Sequence, residues 1–254
     1  MGSIGSNLQE VKGRMALACA RVGRVANILT QTADFGASDD VTLLAVSKTF
    51  GEGAVREAHA AGQRAFGENY VQEALAKIAA LSDLRPAIEW HLIGPLQSNK
   101  TKPVAEVFDW VHSLDRLKVA QRLAEQRPAW LPPLNLCLQV NISGEASKSG
   151  VLPRDAAALA HAVAALPAER VRLRGLMAIP EPAADHETQR RPHRQLHELL
   201  TALQHEGLRL DTLSMGMSAD LEAAIAEGAT IVRVGTALFG GRPRAGTPPS
   251  TVAG

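Results

Sequence analysis

The chain has 254 residues, with 27 Lys and Arg against 26 Asp and Glu and a formal net charge of +1. This balance argues against the basic stripe of a nucleic-acid-binding protein and against a polybasic membrane anchor. No apolar run approaches the roughly twenty residues that cross a bilayer, and the N-terminus lacks the layout of a signal peptide. We therefore expect a cytoplasmic protein that has neither a nucleic-acid nor a membrane partner.

Helical patterns and apolar strand segments alternate along most of the chain, beginning with a helix from roughly Asn7 to Thr32. Strands are predicted at Val41–Val46, Arg64–Gly67, Glu89–Ile93, Phe108–Ser113, Leu134–Asn141, Arg172–Ile179, Thr212–Met215 and Thr230–Val234. Helices are predicted between and after them at Gly51–Ala61, Val71–Leu81, Lys100–Val107, Leu117–Gln126, Asp155–Leu166, Glu187–Glu206 and Ala219–Glu227. Strands that alternate with helices predict an α/β fold, here a closed (β/α)₈ TIM barrel with an extra N-terminal helix.

No linker along the chain separates two domains, so residues 1–241 are predicted to form a single domain. The tail, residues 242–254, is rich in Gly, Pro, Ser and Thr and is predicted to be disordered. Cys19 and Cys137 lie in apolar surroundings without the spacing of a metal or redox motif. We expect both to be small core residues in a reducing compartment.

The first predicted strand, "VTLLAV", is followed closely by Lys48. Burying an ammonium costs several kcal/mol, so a lysine belongs at the end of such a strand. Most strand-end lysines only extend their charged head into water. The alternative is an amine at the mouth of the barrel that forms a Schiff base with a carbonyl compound.

Several other polar residues hold equivalent places, because the carboxyl ends of barrel strands meet at one face. A His or Asn at a strand end more often satisfies a turn than performs chemistry, so both interpretations remain open for each residue. These residues are Asn69, His91, His112, Asp115, Asn141, Ser214 and Arg233.

Two glycine-containing turns favour the chemical interpretation. "LSMGMSADLEAAIAEG" leads from the seventh strand into a helix with Ser218 as its expected N-cap, and "IVRVGTALFGG" opens a short helix at Gly235 and Thr236. Barrels frequently bind phosphate between these two loops, where helix amides and a hydroxyl such as that of Ser214 can donate. A phosphate site and a reactive lysine at one mouth suggest a phosphorylated aldehyde, pyridoxal phosphate (PLP).

The blocks "AVSKTF", "FGENYVQEA", "WHLIGPLQSNK", "VHSLDR", "LQVNISGEASKSGV", "LRGLMAIP", "LSMGMSADLEAAI" and "VRVGTALFG" together resemble the pyridoxal phosphate homeostasis proteins. The resemblance runs in order from Leu43 to Gly240. It implies the barrel of the alanine racemase N-terminal type, with PLP as cofactor. It also implies a role in intracellular PLP homeostasis, in which the cofactor is held and delivered to PLP-dependent apo-enzymes.

The same resemblance assigns roles to individual residues. Lys48 resembles the Schiff-base lysine, and Arg233 resembles the arginine that faces the pyridine nitrogen. Ser214, Gly235 and Thr236 resemble the phosphate ligands, Met217 and Ser218 line the same loop, and Asn69 lies near the cofactor. Leu92 and His193 depart from the family pattern, and we expect these departures to alter packing rather than the site.

Other candidate groups receive structural interpretations. His193 and His197 are spaced as a metal pair on a helix, but no third ligand is visible, so we predict a solvated face and no metal site. Lys100, Lys102 and Lys148 are interpreted as solvated loop lysines, with an anion or cofactor contact at the mouth as the alternative.

Two functions stay open, a carrier without turnover and a PLP-dependent amino-acid racemase, with a class I aldolase as a distant third. Racemisation needs an acid or base on each face of the substrate carbanion. Racemases of this fold take the second base, a tyrosine, from a domain that we expect this chain to lack, although Tyr70 keeps the alternative open. An arginine at the pyridine nitrogen also weakens the ring as an electron sink, which suits holding the cofactor, although racemases of this fold tolerate it. We therefore expect a monomeric, non-catalytic PLP-binding protein with no catalytic residues.

Overall fold

The computed structural model describes residues 2–27, 40–145 and 148–241. The strands found there are β1 Val25–Asn27, β2 Asp40–Val46, β3 Ala65–Glu68, β4 Glu89–Leu92, β5 Trp110–Leu114, β6 Leu134–Gln139, β7 Val171–Met177, β8 Thr212–Ser214 and β9 Ile231–Val234. Neighbours along the chain pair in parallel, and β2 also pairs with β9. Strands β2–β9 therefore close an eight-stranded barrel, which confirms the predicted fold class.

Helices follow the barrel strands on the outside, as the alternating pattern predicted. Their bounds are α1 Ile4–Arg21, α2 Glu52–Ala60, α3 Val71–Ala80, α4 Thr101–Val107, α5 Leu117–Gln126, α6 Pro153–Ala164, α7 His186–His205, α8 Leu221–Ala226 and α9 Thr236–Phe239. Short 3₁₀ turns lie at Ser82–Ala87 and Ser98–Lys100. All of the helices predicted between the strands are present, because their apolar periodicity matches the face that they bury.

The N-terminal helix is shorter than predicted. It ends at Arg21, because Gly23 takes a left-handed conformation (φ 69°) and the amides of Gly23 and Arg24 bond back to the carbonyls of Ala20 and Cys19. The chain then forms β1, an unpredicted strand that pairs with the first residues of β2. Residues 28–32 of the predicted helix and the predicted disordered tail, 242–254, lie outside the described residues.

The main apolar core lies between the barrel and its helices, and two smaller clusters are separate from it. Because side chains alternate across each strand, the smaller clusters belong to the other face of the sheet, which is the barrel interior. Cys19 and Cys137 are buried and unpaired, as expected for core residues. None of the described helices has the length and apolar character needed to cross a membrane.

Helix α1 contacts helices from both the beginning and the end of the barrel sequence. It packs against α2, α8 and α9. The Arg14 guanidinium binds both oxygens of Glu222 at 2.9–3.0 Å, and the Asn7 amide donates to the carbonyl of Leu238 at 2.9 Å. The predicted extra helix is therefore part of the barrel wall.

Candidate functional site

The turn that carries Lys48 is held in an unusual backbone conformation. Strand β2 ends at Val46, and Lys48 is half-buried two residues later. Thr49 has φ 68°, which is rare for a β-branched residue, and its amide donates to Glu73 Oε1 at 2.6 Å. This contact from α3 therefore stabilises the strained turn beside Lys48.

A buried ion pair between Glu68 and Lys77 also stabilises the turn that carries Lys48. Glu68 Oε1 accepts from the Ser47 hydroxyl at 2.6 Å and from Lys77 Nζ at 2.5 Å, and Lys77 also donates to the carbonyl of Ser47 at 2.8 Å. Burial raises the pKa of Glu68, and the charge of Lys77 opposes that rise. The sequence interpretation missed this pair. A charged residue in the short apolar strand β3 was the available signal.

Arg233 and Ser214 meet inside the barrel. Arg233 donates to the Ser214 hydroxyl at 2.7 Å and to the carbonyl of Ala178 at 2.8 Å. Burial lowers the pKa of Arg233 to about 10, so the guanidinium stays charged at neutral pH. Ser214 is fully buried, and its hydroxyl also lies 2.8 Å from Nδ1 of His112.

The hydrogen bonds continue through the barrel interior. His112 Nε2 lies 2.9 Å from Nδ1 of His91, and His91 Nε2 lies 3.5 Å from a carboxylate oxygen of Glu89. Burial, followed by the neighbouring His91 and Arg233, holds the pKa of His112 well below its usual value, so this ring is neutral. His91 and His112, proposed only as strand-end candidates, are thus linked to Ser214 and Arg233.

The tautomer of His112 decides what Ser214 can do. Arginine only donates, so the Ser214 hydroxyl accepts from Arg233 and has one proton to give. If His112 carries its proton on Nε2, its Nδ1 accepts that hydroxyl proton. If the proton is on Nδ1, His112 donates to Ser214, and the hydroxyl can donate to a ligand. The expected phosphate contact of Ser214 therefore requires the Nδ1-protonated ring.

The Gly235–Thr236 turn lies beside the end of β2. A Cβ on Gly235 would stand 3.3 Å from the carbonyl oxygen of Val46, so a larger residue would crowd the strand that leads to Lys48. Thr236 is exposed and begins α9. The amides of Gly235, Thr236 and Ala237 have no backbone acceptor within the described part of the chain. This turn therefore offers free donors next to the strand of Lys48.

The loop between β8 and α8 carries Met217 and Ser218. The Met217 amide donates to Asp220 Oδ1 at 2.7 Å, and His193 Nε2 lies 2.9 Å from Asp220 Oδ2. Asp220, rather than Ser218, occupies the N-cap position of α8, but its carboxylate bonds to these two groups and not to the amides of the helix. Ser218 instead has its carbonyl bound by Arg14 at 3.1 Å.

The expectation of a solvated face for His193 was wrong. It lies on the buried face of α7, where its ring contacts Asp220. His193 thus contacts the residue that holds the Met217 amide. That its departure from the family pattern alters packing rather than the site stays a prediction. Within the described ranges no group of side chains could hold a metal ion.

Of the remaining candidate residues, one has a side-chain atom without a hydrogen-bond partner in the described part of the chain, and the others bond within their own loop. The side-chain oxygen of Asn69 is buried with no hydrogen-bond partner among the residues described. Asn141 holds its own loop, through the carbonyl of Glu145 at 2.7 Å and the amide of Gly144 at 3.1 Å. Lys148 is 2.8 Å from Glu145, so a carboxylate already pairs with it. Asn69 thus keeps an unused acceptor, whereas Asn141 has a structural role.

Comparison with known proteins decides the family. Residues 26–243 match the family model of the alanine racemase N-terminal domain. The pyridoxal phosphate homeostasis protein of Pseudomonas aeruginosa is 62% identical over 230 residues, which cover 90% of this chain and 97% of that protein. The chain belongs to the pyridoxal phosphate homeostasis protein family. The resemblance drawn from the sequence blocks is confirmed.

Two further family members extend the comparison. The Escherichia coli K12 pyridoxal phosphate homeostasis protein is 50% identical over 243 residues, covering 95% of this chain and 98% of that protein. PipY of Synechococcus elongatus PCC7942, solved with PLP bound, superimposes with a TM-score of 0.72 at 41% identity, covering 89% of this chain and all of that one. The family barrel is therefore present over nearly its full length.

Proposed function

We propose that this chain binds PLP covalently through Lys48 and serves intracellular PLP homeostasis by holding and delivering the cofactor without turnover. One observation carries the proposal: the strained turn of Lys48 and the free amides of the Gly235–Thr236 turn follow neighbouring strands, β2 and β9. An amine and an anion site at one end of a barrel suit a phosphorylated aldehyde. The names of the relatives and the PLP found in PipY support the same ligand.

The residues of the mouth fit the parts of PLP. The amides at Gly235 and Thr236 would receive the phosphate, with the Ser214 hydroxyl beneath them. Arg233 would face the pyridine nitrogen, and Asn69, Met217 and Ser218 would border the ring. PLP, when bound, supplies an aldehyde carbon that condenses reversibly with amines.

The charge of Arg233 suits holding the cofactor, although racemases of this fold tolerate such an arginine. Its guanidinium is fixed by Ser214 and Ala178 and remains protonated at neutral pH. A cation against the pyridine nitrogen disfavours protonation there, which weakens the ring as an electron sink. The site would then stabilise a substrate carbanion poorly.

The surroundings of Tyr70 support the same conclusion. This residue is the only tyrosine of the chain, is 55% exposed, and its hydroxyl makes no hydrogen bond to a described residue. A second acid or base for racemisation must be held in place against the substrate. Tyr70 lacks such support, so we favour the carrier over the racemase.

Lys48→Ala tests the proposal directly. Purified protein incubated with PLP should show Schiff-base absorption in the visible range, and borohydride should fix the cofactor on the Lys48 peptide. Lys48→Ala should lose both signals, because the only proposed covalent partner is gone. Lys102 was expected in a loop but lies on α4, where its side chain is exposed. Lys102→Ala should therefore behave as the wild type. A covalent adduct that moves to another lysine in Lys48→Ala would show that the assignment is wrong.

A further inference from the structure

A cavity lies at the end of the barrel opposite Lys48. Its volume is about 880 Å³, within the range of small-molecule sites. Its wall includes residues within two positions of the start of five neighbouring strands, whereas Lys48 follows the end of β2. These wall residues are Thr42, Ala65, Glu89, Asp109 and Asn135. The cavity is therefore separate from the proposed PLP site.

Lys12 of α1 lines this cavity in an unfavourable electrostatic setting. It is only 9% exposed and makes no hydrogen bond or ion pair with any residue that the structure describes. Burial, and then the nearby charge of Arg64, lowers the pKa of Lys12. A buried ammonium beside a second cation costs free energy unless an anion compensates it. The cavity therefore contains a charge that the described residues leave uncompensated.

The other basic groups of the wall already have partners. Arg85 donates to Asp109 at 2.7 Å and to two backbone carbonyls, and Arg127 donates to three carbonyls at 2.7–2.8 Å. Arg64 uses only Nη1, which donates to the carbonyls of His59 and Gln63. Its Nε and Nη2 remain available among the described contacts, so the donors left for a ligand belong to Lys12 and Arg64.

The acidic groups of the wall do not neutralise Lys12. Glu89 accepts from the Trp110 indole at 2.6 Å, and Asp109 accepts from Arg85 and from the Trp90 amide. Glu106 is exposed and is not among the groups that shift the pKa of Lys12. The compensating negative charge must therefore come from outside these residues.

We propose that Lys12 and Arg64 bind the phosphate or carboxylate group of a small organic anion in this cavity. The two side chains supply a positive charge each and the unused donors, which favours an anionic group. Leu43, Ile78 and Ile88 supply apolar wall for the rest of the ligand. An anion here removes the cost of the buried ammonium, so binding should stabilise the protein.

Phenyl phosphate and benzoate can serve as the two probes, since they present the two candidate anionic groups on one apolar body. Titration calorimetry should use protein whose Lys48 site has been filled with PLP and reduced with borohydride, so that this site does not contribute. We expect saturable binding of at least one probe. Lys12→Met and Arg64→Gln should each weaken it about 10-fold or more, because each removes a donor to a charged group.

Arg21→Met is the matched control, because it removes a cation from the exposed last turn of the same helix. It should bind the probes as the wild type does. Without any anion, Lys12→Met should unfold at a higher temperature than the wild type, since an unpaired buried charge has been replaced by an apolar chain of similar length.

The absence of saturable binding of both probes to the wild type would overturn the proposal. So would equal affinity in the wild type and Lys12→Met, or a lower unfolding temperature of folded Lys12→Met. If Lys12→Met does not fold, Arg64→Gln decides, and an unchanged affinity in that variant rejects the site. Adduct formation on Lys48 is read separately by its absorption, and the difference in probe affinity between the wild type and Lys12→Met reports this cavity whether or not PLP is bound. Failure of this proposal is therefore distinguishable from failure of the proposed cofactor function.

Discussion

His112 is fully buried in the barrel interior, with a hydrogen-bond partner on each ring nitrogen. Burial, then His91 and Arg233, lowers its pKa well below the ordinary value of 6.5. The unfolded chain therefore binds a proton near pH 6.5 that the folded protein does not bind. This single residue should make the stability of the protein depend on pH in the mildly acidic range.

We predict that the free energy of unfolding decreases as the pH falls from 6.5 towards 5. The stabilisation from neutral His112 is present above pH 6.5 and is lost below it, at up to about 1.4 kcal/mol per pH unit for one proton. In urea unfolding, His112→Gln should flatten this dependence by that amount. His205→Gln, which removes an exposed histidine, should keep the wild-type slope. A wild-type slope in His112→Gln would contradict the prediction.

The phosphate site makes a second prediction at the residue scale. Losing one neutral donor to a charged group costs about 1.5–3 kcal/mol, or roughly 10- to 150-fold in affinity. Thr236→Ala removes a hydroxyl but leaves the backbone amide, so PLP affinity should fall by about 10-fold or less. Pyridoxal without its phosphate should bind much more weakly than PLP. Fluorescence titration measures both, and equal affinities for pyridoxal and PLP would remove the phosphate argument.

Between β8 and α8, the loop of the candidate site is held by Asp220. Burial would raise the pKa of this carboxyl, but the hydrogen bonds from His193 and the Met217 amide outweigh burial and lower it. Asp220→Ala should cost about 1–3 kcal/mol in the free energy of unfolding, because it leaves the buried His193 without this partner. Asp220→Asn keeps acceptor oxygen and should recover part of the loss. Chemical denaturation at pH 7 checks both, and unchanged stability in Asp220→Ala would refute the role.

The elements that were predicted correctly share a local signal. Apolar runs bounded by turn residues mark the barrel strands, and the helices between them show their own periodicity. Strand β1 gave no such signal, because three residues are too few for a pattern and their order comes from pairing with β2. The positions of Lys48 and Gly235 were predicted in the same way, because both residues follow a strand and the carboxyl ends of the strands meet at one mouth of a barrel.

The support around the site could not be predicted in this way. His193 contacts Asp220 across 27 residues, and Ser47 contacts Glu68 across 21. The partner of each side chain depends on how separate helices and strands pack against each other. Hydrophobic periodicity does not specify that packing. In the sequence, such a pair is indicated only by a polar residue on a face that is otherwise expected to be buried.

At the scale of the whole molecule, the proposed carrier should exchange its cofactor without processing substrates. Purified protein loaded with PLP should reactivate a PLP-dependent apo-enzyme, because amines can exchange at an accessible aldehyde carbon. Chiral chromatography should detect no racemisation of alanine above that caused by free PLP. Stereospecific proton exchange at an amino-acid α-carbon, lost in Tyr70→Phe, would restore the racemase hypothesis.

The position of α1 has a consequence for how the chain is made. This helix is synthesised first among the described elements, but its contacts with Glu222 and Leu238 lie 208 and 231 residues further along. At roughly 5–20 residues per second, a ribosome needs about 10–45 s to supply them. Until then the apolar face of Leu8, Val11 and Met15 lacks the cover of α8 and α9. Closure of the barrel by α1 is thus a late event in the synthesis of the chain, because the two helices that cover this face are the last helices to be made among the described elements.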